Sequence, residues 1–212
     1  EDGTSWIAAP VSGCRGDAQM TKGVSGRVAL SMAVLGAAFL TVATLSAQGA
    51  VAQFTISGTS TVRGWTCPAE GVIAVTPATA SEPVPGFPNG LQAVRITVAV
   101  EAIECPEEQM VEHLREAMEE PQHPEIVYEL ESYRFTSDDS AVASGTLAIH
   151  GMTRPVTFEI QLVETPDGVR GVGQTSITMS EFGITPPSLW RGLLNVGDVV
   201  DVQFEAPLPR SN

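Results

Sequence analysis

Residues 145–160 read Gly-Thr-Leu-Ala-Ile-His-Gly-Met-Thr-Arg-Pro-Val-Thr-Phe-Glu-Ile, two alternating runs on either side of a glycine-centred reversal, His150-Gly151-Met152-Thr153. Leu147 and Ile149 share one face of the first run, and Val156, Phe158 and Ile160 share one face of the second. Period-two alternation sends successive side chains to opposite sides of a sheet. A short glycine-containing break between two such runs therefore marks an antiparallel hairpin. Gly151 meets the requirement of a tight turn for positive φ.

Working outward, the same period recurs. Strands are expected over residues 54–62, 71–76, 91–103, 125–135, 169–179 and 199–206. The clearest is 91–103, where Val94, Ile96, Val98 and Val100 alternate with Arg95, Thr97, Ala99 and Glu101, the pattern of a half-buried antiparallel strand. Thr165-Pro166-Asp167-Gly168 makes a turn, and Gly197-Asp198 launches the last strand. One segment changes period. Met110, Leu114, Ala117 and Met118 recur at helical spacing, with Glu107 and Glu108 in the first turn and Pro121 and Pro124 beyond the end. A short surface helix over about 107–119 follows. Some eight strands with mostly short connections indicate an all-β sandwich or an up-and-down barrel.

The N-terminal segment is expected to lie outside this fold. From Met20 the chain carries Lys22 and Arg27, then an apolar run over 28–45, then the small residues Ala50-Val51-Ala52. That is the tripartite pattern of a secretory signal, with cleavage after Ala52, so residues 20–52 are read as a signal peptide and 53–212 as the folded domain. Residues 1–19 are read as an upstream segment foreign to the protein. The competing reading is an uncleaved anchor, since the run is nearly long enough to span a bilayer. Cleavage is preferred because Ala, Gly, Ser and Thr dilute the run.

The 160 residues from Gln53 carry eight arginines and no lysine against 22 acidic residues, a net charge of −14. Such a surface repels phosphate backbones and anionic bilayers, which excludes nucleic acid as a partner and stable membrane insertion once the signal is gone. Cys67 and Cys105 are the two cysteines left in this part, an even pair in an exported domain, and one disulfide is expected. Both precede proline, which places each at the boundary of a regular element.

No catalytic motif is present: neither G-x-S-x-G, H-E-x-x-H nor a P-loop occurs, and no enzymatic activity, cofactor or metal site is assigned. His113 has Glu112 and Glu116 beside it on the helix, but no second histidine shares that face, so a solvated helix surface is the preferred reading. His123 lies between prolines in a loop. His150 is read as bonding to backbone around its turn, with contact to a ligand head group as the alternative.

The order of these elements, together with three local motifs, resembles the YceI-like family. The motifs are the hairpin (Gly145, Leu147, Ile149, His150, Gly151, Thr153, Pro155, Val156), the helix exit (His113-Leu114, then 124–128) and Glu181-Phe182-Gly183-Ile184 followed by 196–200. The chain departs from the family in its first strand, with Ser57-Gly58-Thr59-Ser60 where relatives carry an Asp and a His-Ser pair, and in having Met179 and Glu181 before Phe182 where an arginine is common. The resemblance implies an eight-stranded antiparallel lipocalin-like barrel and an exported, periplasmic or secreted bacterial protein. It further implies binding of a long apolar ligand, an isoprenoid quinone or polyprenyl lipid, by a monomer or homodimer. The alternative is an extracytoplasmic structural or stress-related interaction protein whose barrel is filled. Candidate ligand contacts are Val94, Ile96, Val98, Leu114, Met118, Tyr128, Leu147, Ile149, Phe158, Phe182, Trp190 and Phe204. Of these, Tyr128 and Trp190 are placed nearest the ligand, and for Val94, Ile96, Val98, Phe158 and Phe204 core packing is the leading reading.

Overall fold

The computed structural model describes residues 49–166 and 168–208. The expected upstream segment and most of the expected signal lie outside the described residues, as does the side chain of Trp190. The strands are β1 (Ala50–Ser60), β2 (Trp65–Pro77), β3 (Leu91–Ala99), β4 (Glu125–Phe135), β5 (Ser140–Ile149), β6 (Met152–Thr165), β7 (Gly168–Thr178), β8 (Ser188–Leu189) and β9 (Leu194–Leu208), with one helix, α1 (Glu108–Ala117), between β3 and β4. Sequential antiparallel pairing runs from β1 to β7 and on to β9, and β9 pairs back onto β1. Eight strands thus close a lipocalin-like barrel. The two-residue β8 adds to β9 outside that ring.

The alternation read from the sequence is the inside–outside pattern of the barrel. Along β5 every second residue from Ala141 to Ile149 is buried. The opening hairpin forms with a tighter turn than the expected 150–153, because Met152 and Thr153 already pair as β6, Ile149 opposite Met152 and Gly145 opposite Val156. Several boundaries differ from expectation, each for a local reason. The strand expected over 91–103 ends at Ala99, because Val100 turns away, donates its N–H to Pro124 O (2.8 Å) and buries completely in a 3-10 turn. Gly197-Asp198 lies inside β9 rather than before it, where the ladder with β1 shifts register. β1 starts at Ala50, and Ala50, Val51 and Ala52 pair with Ile73, Val72 and Gly71. The small residues read as a cleavage signal are thus also strand residues, and Ala52 is wholly buried.

The disulfide expected between Cys67 and Cys105 is present, with Cα atoms 4.4 Å apart. Cys67 and Pro68 lie within β2, not at its boundary. β3 pairs with β2 only from Val72 onward, so Pro68 faces a side with no continuous ladder. There its carbonyl accepts from Glu104 N–H (2.8 Å) and Ala69 bridges Ile103, which draws the entry of α1 onto the barrel.

The buried side chains form three clusters joined through half-buried residues, Phe54 and Ile96 between the first and third and Leu114 and Ile126 between the second and third. At one end the loop between β2 and β3 folds inward, so that Val84 and Phe87 pack on Ala52, Ile73, Val94, Val169, Ala206 and Leu208. Tyr133 fastens this loop: its hydroxyl accepts from Leu91 N–H (3.0 Å) and donates to the carbonyl of Glu82. At the other end Val100, Met118, Leu147, Ile149, Phe182 and Ile184 form a second cluster, and the third surrounds the disulfide.

Two stability outcomes follow. Phe87→Ala removes the plug of the closed end and is expected to lower unfolding free energy by about 3–5 kcal/mol in urea denaturation. Reducing Cys67–Cys105 opens a loop whose closure is worth roughly 3–4 kcal/mol, so the urea midpoint should fall in dithiothreitol.

Candidate functional site

Between the clusters the barrel is hollow. A chamber of about 190 Å³ lies toward the plugged end, walled by Phe54, Ile73, Val84, Val94, Ile96, Leu130, Ala141, Ala143, Phe158, Ile160, Phe204 and neighbours. A second, of about 320 Å³, lies under α1. Ile56, Ile126, Ile149, Ile177 and Val202 line both, so the chambers abut along the barrel. The second volume falls at the lower end of the range of small-molecule sites, about 300–1,000 Å³, and the first lies below it.

The hollow has a cause in the sequence. β5 contributes Ala141, Ala143 and Gly145 to the interior before its larger Leu147 and Ile149. A Cβ at Gly145 would lie 2.9 Å from the Tyr128 ring, so the missing side chain is what admits that ring. Aromatic rings then cross the wall in sequence. Tyr128 lies against Phe158 (centroids 5.3 Å apart), Phe158 against Phe204 (5.3 Å) and Phe204 against Phe54 (6.4 Å).

Polar groups are sparse inside: in the first chamber they are Tyr128, Tyr133 and Thr175. The Tyr128 hydroxyl is buried and has no hydrogen-bond partner. Burial, followed by the nearby Glu131 charge, pushes its pKa up to about 12. An orphaned phenol in an apolar wall is a donor held ready for an acceptor that the protein does not supply. At the mouth of the second chamber the lining becomes mixed. Gln109, Met110, His113, Leu114, Ala117 and Met118 come from α1, facing Trp65, Pro187, Leu189 and Leu194, while Arg63 pairs with Glu107 across the rim.

The wall explains why β6 tolerates Pro155. β6 and β7 pair only from Ile160–Gly173 to Thr165–Gly168, leaving the other half of β6 without a neighbour on that side. The turn after β7 lies across this gap, and Arg154 Nε donates to Glu181 O (3.1 Å).

Of the residues proposed from sequence, Val94, Ile96, Val98, Tyr128, Leu147, Ile149, Phe158 and Phe204 line the first chamber. Leu114 and Met118 line the second, which Ile149 also reaches. Phe182 lies in neither lining; it is 3% exposed and packs with Val100 and Ile184 as core. His150 bonds not around its own turn but to Phe182 O, 3.3 Å from its Nδ1. The sequence reading passed over Ile73, Ile126, Ile177 and Val202, although the same alternation marks each. It also passed over Arg63 and Glu107, whose meeting across the rim no local pattern announces.

The arrangement offers a long apolar surface with an isolated hydroxyl at depth. The Tyr128 phenol should titrate near pH 12 in ultraviolet absorbance. Its folded pKa lies above that of an unfolded tyrosine, near 10. The unfolded chain therefore loses its proton first, and stability present below pH 10 is lost as pH rises toward 12. Tyr128→Phe should flatten that alkaline loss and leave neutral stability unchanged or raised by up to about 1 kcal/mol, since no hydrogen bond is removed.

The family model for the YceI-like domain matches residues 22–208. Among solved structures, BcnA of Burkholderia cenocepacia superposes with a TM-score of 0.53 at 15% identity, over 72% of this chain and 94% of that one. A YCEI protein of Campylobacter jejuni superposes with a TM-score of 0.52 at 12% identity, over 67% of this chain and 82% of that one. At such identities the likeness is one of fold. A search of curated proteins returned no match.

Proposed function

The chain belongs to the YceI-like domain family, and we propose that it is an exported carrier that holds one long apolar molecule of isoprenoid character inside its barrel. The observation that carries this reading is the pair of abutting apolar chambers, closed by Phe87 at one end and rimmed by polar side chains at the other. A flexible hydrocarbon chain fits such a shape because burial rewards apolar area without demanding directional contacts. The filled-barrel alternative is disfavoured by the two open chambers inside the barrel.

Between a quinone and a polyprenyl phosphate, the quinone has the better partner. A quinone carbonyl accepts the hydrogen bond that the Tyr128 hydroxyl otherwise lacks. Arg63, the arginine in the lining of the second chamber, is already engaged by Glu107, which leaves a phosphate less to bind. Export is supported by the disulfide, which persists in oxidising compartments, and by the signal-like pattern of residues 20–52. The function is binding, and no catalytic step is assigned.

Native mass spectrometry of protein purified gently from a bacterial host tests the reading. A bound species of several hundred daltons, removed by organic solvent and restored by an isoprenoid quinone, is expected; protein mass alone and no uptake would sink the carrier. Ile177 stands at the junction of the chambers, so Ile177→Trp should favour short-tailed over long-tailed quinones about tenfold in competition. Tyr128→Phe should weaken quinone retention by about tenfold, the worth of one buried hydrogen bond, while leaving uptake of a plain hydrocarbon unchanged.

A further inference from the structure

Outside the barrel, at the end where α1 finishes, three potential metal ligands converge that the carrier function does not use. The ligand atoms of Glu119, His123 and His150 all lie within 4.8 Å of one another. Two elements distant in sequence supply them: the exit of α1 provides Glu119 and His123, and the turn between β5 and β6 provides His150.

The backbone holds each side chain in place. α1 ends in a Schellman arrangement, in which Glu119 N–H donates to Glu116 O and Glu120 N–H to Arg115 O, both at 3.1 Å. The residue after the cap in this motif takes a left-handed conformation and is usually glycine. Here it is Glu119, with φ of 49°, a conformation that glycine would adopt with less strain. Glu119 O then accepts from His123 N–H (3.0 Å), which fixes the histidine relative to the carboxylate. Across from them, His150 has φ of 50° in the two-residue turn. Its ring lies 4.8 Å from that of His123, edge to face. The His123 ring also covers Gly151, where a Cβ would come within 2.7 Å of it.

The second observation concerns His150 alone. Its Nδ1 lies 3.3 Å from Phe182 O, an acceptor only, so the bond requires a proton on Nδ1 and, in the neutral ring, leaves the lone pair on Nε2. Nε2 is buried without a hydrogen-bond partner, and 3.8 Å away stands a Glu119 carboxylate oxygen. A histidine whose distal nitrogen donates to a backbone carbonyl while its free nitrogen faces other donors is oriented as metal-ligating histidines are.

We propose that Glu119, His123 and His150 form a binding site for a first-row divalent transition cation such as Zn²⁺, with a fourth position open to water. Two imidazoles and one carboxylate suit such an ion, whereas Ca²⁺ and Mg²⁺ favour all-oxygen shells. Small side-chain rotations bring the donors from their present spacing to the roughly 3.3–3.5 Å expected between ligands about 2.0–2.2 Å from a tetrahedral centre. The bound ion joins the exit of α1 to the β5–β6 turn.

The test uses untagged, disulfide-intact protein stripped by chelator and titrated with Zn²⁺ by calorimetry and with Co²⁺ by visible absorbance. One equivalent is expected to bind, with ligand-field bands of a four- or five-coordinate Co²⁺ site. Glu119→Gln, His123→Ala and His150→Asn, the last keeping a residue the turn favours, should each lower Zn²⁺ affinity by about tenfold or more with far-ultraviolet dichroism unchanged. His113→Ala, at the chamber mouth and outside this cluster, should leave Zn²⁺ binding as it was. Absence of binding at millimolar Zn²⁺, or affinity that survives His123→Ala or follows His113, overturns the proposal.

Discussion

The pairing of β1 with β9 turns a sheet into a container. Once those strands meet, from Gln53–Glu205 through Ser60–Val196, the eight-stranded ring closes, with β6 unpaired toward β7 only before Ile160, and every second side chain must face the same enclosed space. Strand number and tilt set the width of that space; side chains decide only how much of it is filled. Ala141, Ala143 and Gly145 on β5 leave it under-filled, and the buried residues accordingly divide into separate groups. Unfilled apolar volume carries a cost on the order of several kcal/mol, because lining atoms lack neighbours on one side. A hydrocarbon ligand offsets that cost, so the same deficit that weakens the empty barrel drives binding.

The two ends of the container are closed by different means. At one, the loop between β2 and β3 places Phe87 and Val84 into the core itself, and Tyr133 ties the loop down from β4. Removing that plug disrupts the packing of β2, β3, β7 and β9 together. At the other, α1 buries no residue within its own span, and only its inner side chains touch the barrel. The end whose closure is weakest is also the end whose rim is polar. On the proposed carrier reading, this is the end at which opening costs least and a polar terminus would remain near water.

Much of this architecture is legible in the sequence because a barrel repeats one simple rule. Alternation at 91–100 and 145–160 names inward-facing residues directly, which is why Val94, Ile96, Val98, Leu147, Ile149 and Phe158 are found on the chamber walls. The helix is legible from its change of period, and the disulfide from cysteine parity. What alternation cannot report is depth along the barrel axis. Phe182 satisfies every local criterion for an apolar contact, yet it packs within the second cluster and lines neither chamber. Nor can local pattern report convergence. His123 and His150 are 27 positions apart and unremarkable singly; only the closure of α1 onto the β5–β6 turn brings their rings to 4.8 Å. The cysteine–proline pairs mislead for a related reason. Proline excludes a residue from a continuous ladder, but β2 has no continuous partner on the side that Pro68 faces, so the strand runs through.

The helix over the mouth is held chiefly at its two ends. Its entry is fixed covalently, because Cys105 joins β2 just before α1 begins. Its exit is fixed by the Schellman turn and by Met118, which is buried against Leu147 and Ile149. Between these points Met110 and Leu114 lean on the third cluster through partial burial only. A helix tethered covalently at one end and by packing at the other would open most readily by pivoting about the covalent end. Such a motion would release the Met118 contacts while the β1–β9 ladder stays paired, so widening the mouth would not require unfolding the barrel. Any interaction that strengthens the exit of α1 acts on the rate of exchange more than on the stability of the barrel, and the Glu119–His123–His150 cluster lies at that exit.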